Sequence, residues 1–155
     1  MEKPIDSLML IDLMVTELCN RECEFCPRSE GYPNLNLHMS LDVVKKIAND
    51  LKKINYKHRI LFCGFGEPLL YKNLTESIEI LRESLPNNQY IQMVTNGDKL
   101  TRKKIDELYN AGLNKIYVSL YDGEEQIDIF NKMFKGIDTE KYFFHHYYKT
   151  YEENY

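Results

Sequence analysis

The sequence predicts an α/β fold in which a parallel sheet is laid down one strand at a time with a helix between strands. Three observations carry that prediction. Short apolar runs alternate with longer amphipathic runs along the chain. The amphipathic runs space their apolar residues three and four apart, as one face of a helix requires. Gly, Pro, Asn and Ser mark the joins. Strands linked through a helix are parallel, because the crossover returns the chain to the end where the previous strand began. Four strand–helix units and a fifth strand are too few to close an eight-unit barrel. The expected architecture is therefore an incomplete parallel (β/α) barrel, with residues 1–155 as one partial domain.

Residues 10–18 read as a buried first strand, followed by a loop over 19–39 that holds three cysteines and the turn formers Gly31, Pro33 and Asn34. Ser40 then caps a helix whose apolar positions are Val43, Val44, Ile47, Leu51 and Ile54. The second strand spans 59–65. Asn73, with Glu76 three residues on, is expected to cap the next helix, whose stripe is Leu74, Ile78, Leu81 and Leu85 and whose end is marked by Pro86, Asn87 and Asn88. The third strand spans 90–94. Thr101 opens a helix carrying Ile105, Leu108 and Tyr109, and Gly112 stops it. The fourth strand spans 115–120, and a fourth helix follows with Ile127, Phe130, Met133 and Phe134, ending near Gly136. Residues 142–148 are expected to form a fifth, aromatic strand. No terminal signal is visible over 151–155, so with Met1 at the start we expect a chain continued on its C-terminal side. There is no internal repeat and no low-complexity linker.

Composition narrows the function classes. At 155 residues, with 43% hydrophobic and 28% charged residues, the chain can bury one core and lies outside the regime of disorder. A net charge of -4 supplies no positive field for a phosphate backbone, so nucleic acid is not an expected partner. Met1 to Leu10 has no basic region followed by an apolar stretch, and no run is long enough to span a membrane, so a cytoplasmic protein with no membrane partner is expected. Of the four cysteines, three crowd into eight residues, which in a reducing compartment reads as a metal site rather than a disulfide framework.

The chemistry centres on Cys19-Asn-Arg-Glu-Cys23-Glu-Phe-Cys26, a C-x3-C-x2-C array directly after the first strand. Three thiolates can hold three irons of a cubane cluster and leave the fourth iron open to a ligand. Zinc is the competing reading. It wants four closed ligands, and Cys63 or His38, neither at a familiar spacing, would have to supply the fourth. A non-catalytic iron–sulfur electron carrier is the other, although such proteins use four cysteines per cluster. At the end of the second strand stands Cys63-Gly-Phe-Gly66-Glu67-Pro68, where Gly64 and Gly66 remove side chains so that the backbone can approach a ligand. Thr95-Asn96-Gly97 ends the third strand, where an Asn-Gly turn would serve equally well, and Ser119 ends the fourth. These are the carboxyl ends of parallel strands, where ligands gather. Strand alternation sends Cys63 toward the helical layer as a buried thiol. Arg28 reads as a solvated loop arginine in preference to a substrate or cofactor contact, and His145 and His146 as neighbours facing opposite ways.

In order and spacing these motifs resemble the radical S-adenosylmethionine superfamily, over residues 11 to 122. That resemblance implies a partial triosephosphate-isomerase-like barrel with a 4Fe-4S cluster held by Cys19, Cys23 and Cys26. It implies that S-adenosylmethionine, bound to the cluster's open iron, is reductively split to a 5'-deoxyadenosyl radical that takes hydrogen from a substrate. Phe25, before the last cysteine, would sit near the adenine. Gly64, Gly66, Glu67 and Pro68 match the family's G-G-E-P motif, in a G-x-G-E-P form, and would bind the cofactor's amino group. Thr95, Asn96 and Ser119 fall at its T-N-G and V-S-L-D-G positions, with Tyr121 inserted before Asp122. The implied partners are S-adenosylmethionine, a peptide or small-molecule substrate, and an electron donor such as flavodoxin or ferredoxin. Many relatives carry a C-terminal auxiliary-cluster domain of the SPASM or twitch type.

Overall fold

A computed structural model of the chain describes residues 8–86 and 89–148. Five strands, β1 (Leu10–Leu13), β2 (Arg59–Phe62), β3 (Ile91–Thr95), β4 (Lys115–Leu120) and β5 (Tyr142–His146), alternate with four helices, α1 (Leu41–Lys53), α2 (Leu74–Ser84), α3 (Arg102–Asn110) and α4 (Glu125–Met133). The strands form one sheet in sequence order, every neighbouring pair parallel. The architecture is α/β with an open sheet, as predicted.

The register shows why the sheet assembles this way. Phe62 pairs with Met93 and Met93 with Ile116, so a row of apolar side chains crosses three strands on one face. All three are fully buried, together with Ile78 and Leu81 of α2 and Ile105 and Leu108 of α3. The helices thus cover that face, as crossovers of one hand require. On the other face Tyr117 is half-buried and Phe143 exposed, and Gln92 donates to the Tyr117 hydroxyl at 3.2 Å.

Four expectations are corrected by local geometry. The first strand leaves the ladder at Leu13 instead of residue 18; beyond it Val15 and Thr16 stay buried, and Thr16 bridges antiparallel to His38. The second strand ends at Phe62 instead of 65, because Gly64 turns the chain at a φ of 130° that other residues rarely adopt. Asn73 stands at the N-cap of α2 but makes no side-chain cap bond; its φ of -97° and ψ of 17° are not the extended conformation in which a cap side chain reaches back. Ser40 and Thr101 do cap, accepting from Val43 N at 3.4 Å and Lys104 N at 3.1 Å. β5 stops at His146, two residues short of its expected end, and short 3-10 turns at Pro68–Leu70 and Thr139–Lys141 are additions. Asn87, Asn88 and residues 151–155 lie outside the described residues. Among the described residues no helix is long and apolar enough to cross a membrane.

Candidate cofactor site

The sequence motifs meet at the carboxyl ends of the strands. Cys19, Cys23, Cys26, Phe25, Gly64, Gly66, Glu67, Thr95 and Asn96 line one cavity of about 150 Å³, joined by Arg21, Cys63 and Tyr121. A wider recess of about 420 Å³ shares Arg21, Cys23, Phe25 and Tyr121 with it. Two expected residues stand apart. Pro68 is buried at the start of its 3-10 turn, and Ser119 is 2% exposed at the end of β4.

The cysteine loop is shaped by its own backbone and by one asparagine. Cys26 N donates to Cys23 O at 2.8 Å, closing a turn that brings the last two cysteines round together. The Asn34 side chain grips Cys19 at both main-chain groups, accepting from its N and donating to its O at 2.9 Å each. Arg28 overturns the solvated-arginine expectation. It is 6% exposed and donates to Phe65 O at 2.7 Å, Asn34 Oδ1 at 3.0 Å, Pro33 O at 3.1 Å and Glu17 O. One planar fork thereby holds the end of the first-strand segment, the cysteine loop and the glycine turn in a single arrangement.

The glycine turn is packed as tightly as it is bent. A Cβ on Gly66 would overlap the Thr16 carbonyl oxygen, and one on Gly64 would come within 2.8 Å of Met14 Cγ. The missing side chains therefore admit the chain leaving β1, while both glycines also line the cavity. Glu67 is 3% exposed and accepts from Thr95 Oγ1 at 2.6 Å, Asn96 N at 2.8 Å and Leu69 N at 3.0 Å. Burial pushes its carboxyl above the usual carboxylate range against the pull of those three donors. The Asn-Gly turn after β3 and the glycine turn after β2 are thus one hydrogen-bonded unit.

Cys63 also departs from expectation. Ile60 and Phe62, fully buried, face the helices, so two-residue alternation carries Leu61 and Cys63 to the opposite face, and Cys63 lines the cavity. Burial and a hydrogen bond to Asp12 push its thiol up to about 12. Among the described residues no three His, Cys, Asp or Glu side chains gather as ligands of a single metal ion. A zinc site requires four ligands on one ion, whereas a cubane takes each thiolate on a different iron. The three half-buried motif thiols around one cavity fit the cluster, and burial raises the Cys23 thiol while the Arg21 cation opposes that rise.

Arg21, which sequence reasoning passed over, lines both the cavity and the recess, as does Tyr121, and Asp122 lines the recess. Tyr121 stacks with Phe25 at 5.6 Å and with Tyr147 at 5.3 Å, and Tyr147 stacks with His145 at 4.1 Å. Burial pushes the Tyr121 hydroxyl up to about 12. Arg21 pairs with Asp98 and with Asp122. The available signals were a cation between two motif cysteines and an aspartate just past each of the third and fourth strands.

The chain is similar to proteins of known reaction. It is 33% identical over 114 residues to the S-adenosyl-L-methionine-dependent 2-deoxy-scyllo-inosamine dehydrogenase of Niallia circulans, covering 74% of this chain and 45% of that one. It is 32% identical over 139 residues to the GTP 3',8-cyclase of Thermodesulfovibrio yellowstonii, covering 83% and 42%. The crystal structure of BtrN in complex with AdoMet and 2-DOIA superimposes with a TM-score of 0.78 at 30% identity, over 87% of this chain and 55% of that one. The chain thus spans about half the length of the relatives it matches. Those relatives are enzymes of a family that uses a 4Fe-4S cluster and S-adenosylmethionine. The model of the Radical SAM superfamily matches residues 13–145, and this chain belongs to that superfamily.

Proposed function

We propose that this chain is the part of a radical S-adenosylmethionine enzyme that holds the 4Fe-4S cluster on Cys19, Cys23 and Cys26 and binds the cofactor against Phe25, the Gly64–Pro68 turn, Thr95, Asn96 and Ser119. The observation that carries this reading is the convergence of the three cysteines, the glycine turn and the Thr95–Asn96 turn on one cavity. The bound cluster and cofactor would supply reductive cleavage of S-adenosylmethionine to a 5'-deoxyadenosyl radical and removal of hydrogen from a substrate, a peptide or small molecule, with the electron coming from a donor of the flavodoxin or ferredoxin type.

The chain's own residues hold and screen. Three thiols supply the cluster ligands. Arg28 and Asn34 keep the loop that bears them from relaxing. Glu67 keeps the Gly64–Pro68 turn against Thr95 and Asn96 and so shapes the turn that faces the ligand. Phe25 and Tyr121 give the recess an aromatic side, and Tyr147 stacks on both rings. Ser119, 2% exposed at the end of β4, is among the most enclosed of the cofactor-site residues.

The test is anaerobic reconstitution with iron and sulfide, dithionite reduction, and electron paramagnetic resonance with and without S-adenosylmethionine, followed by assay of 5'-deoxyadenosine. A reduced-cluster signal that changes on adding the cofactor, with 5'-deoxyadenosine formed by the native chain and absent in Cys23→Ala, is the expected outcome. A cluster indifferent to the cofactor would return the reading to an electron carrier, and stoichiometric zinc in its place would return it to an interaction module.

A further inference from the structure

The segment between the first two motif cysteines is tied to the rest of the fold by a device that the cluster chemistry does not require. Arg21 Nε and Nη2 donate to the two oxygens of Asp98 at 2.7 and 2.6 Å, and Nη1 and Nη2 donate to the two oxygens of Asp122, both at 2.7 Å. Four hydrogen bonds take up a fork that has five N–H donors. The side chain is 19% exposed, and the flanking carboxylates raise its pKa further above the usual arginine range. Its neighbour Asn20 adds a second tie, donating to Asp98 Oδ2 at 2.6 Å and accepting from the Asn96 side chain at 3.0 Å. Both aspartates are held in turn: Asp98 N donates to Asn96 Oδ1 at 3.0 Å, and the Gln126 amide bonds Asp122 through both its atoms at 3.0 and 2.9 Å.

Asp98 follows β3 and Asp122 follows β4. The extra residue Tyr121 in the turn after Leu120 sets Asp122 where the fork of Arg21 meets it, which accounts for a shift in spacing that the motif comparison leaves unexplained. With both carboxylates engaged in bidentate geometry, this guanidinium has no free edge for an anion from the substrate or cofactor. Its geometry is that of a fastener.

We propose that Arg21 is a positioning residue: with Asp98 and Asp122 it clasps the segment between Cys19 and Cys23 onto the ends of β3 and β4, and so sets the spacing of the thiols around the cavity. The inference rests on the reading of Cys19, Cys23 and Cys26 as cluster ligands. Because the tie is made by two carboxylates on two loops, removing either one leaves a bidentate pair, whereas removing the guanidinium or its planar fork undoes both.

The experiment compares the reconstituted native chain with Arg21→Gln, Arg21→Lys, Asp98→Asn, Asp122→Asn and the double variant Arg21→Gln/Asp122→Asn. The readouts are iron release to a chelator under anaerobic conditions and the electron paramagnetic resonance spectrum of the reduced cluster. Arg21→Gln should release iron about 10- to 100-fold faster, in the range of other residues that orient metal ligands. Arg21→Lys, which keeps the charge but not the fork, should fail to rescue it. Each aspartate variant should fall between, the double variant should be no worse than Arg21→Gln alone, and the line shape should broaden in step with release. Arg102→Gln, which breaks an exposed pair with Asp106 on α3, serves as the comparison and should match the native chain. Native-like release and spectra in Arg21→Gln, full rescue by Arg21→Lys, or additive losses in the double variant would each overturn the clasp. Should Arg21→Gln not fold, the single aspartate variants carry the test, and native-like release and spectra in both would overturn it. A native chain that assembles no iron–sulfur cluster would instead sink the reading on which the clasp rests.

Discussion

Cys63 is the residue whose placement most changes its chemistry. As a thiol on the helical face it would be inert packing; on the cavity face it lines the same cavity as the three motif thiols. Burial, the carboxylate of Asp12 and the hydrogen bond to it all oppose ionisation. The sign follows directly: a thiol raised from 9.0 to about 12 stays protonated through the window in which an ordinary cysteine ionises, and reacts as a thiolate only as pH climbs toward 12. In the metal-free chain at pH 8, Cys63 should be alkylated by iodoacetamide roughly a thousandfold more slowly than an unburied cysteine, with the rate rising about tenfold per pH unit, since only the thiolate reacts. Peptide mapping of alkylated chains across pH 7 to 10 measures both. Asp12→Asn should speed the reaction, and a Cys63 that reacts like an unburied cysteine would refute the assignment. Arg28 teaches a related lesson, because its position after Cys26-Pro27 was plain in the sequence while its four acceptors come from segments that meet only on folding.

Among the elements, the helix caps separate what a residue type offers from what its backbone permits. Thr101 has φ -136° and ψ 158°, extended, and its hydroxyl reaches Lys104 N; Asn73, of a better capping type, sits at ψ 17° and reaches nothing as a cap. Thr101→Ala should cost about 1 kcal/mol of stability, as loss of a working cap does, and Asn73→Ala only about a few tenths. Urea denaturation of both variants distinguishes them, and equal losses would contradict the cap geometry. The strands were legible through their apolar runs, with β4 matching its predicted span to the residue. The ends of β1 and β2 were not, because apolar residues continue past the last ladder bond: Val15 is buried by packing outside the sheet, and the turn at Gly64 interrupts a run that reads as strand. The 3-10 turns lack a periodic signal, being about one turn long.

Among the described residues the whole molecule is an open sheet with β1 and β5 at its edges. β5 displays Phe143, 51% exposed, on the face away from the helices. An edge strand with unpaired main-chain groups and an exposed aromatic ring is a template for pairing. Residues 1–155 expressed alone should therefore associate with rising concentration, and Phe143→Lys should shift them toward the monomer; size-exclusion chromatography over a concentration series checks this, and a stable monomer throughout would count against it.

The sequence by itself determined the fold class, the order of strands and helices, and the family, since hydrophobic period, turn chemistry and the C-x3-C-x2-C spacing are local properties that survive without coordinates. Only the tertiary structure decided that Gly64 and Gly66 make room for the chain leaving β1, that Glu67 spends its acceptors on the β3 turn, that Cys63 faces the cavity, and that Arg21 and Arg28 are fasteners. Each depends on contacts between residues far apart in sequence, such as Arg21 with Asp122 or Glu67 with Thr95. A hydrogen bond across such a gap exists only once strand register and loop path have placed donor and acceptor within about 3 Å of one another.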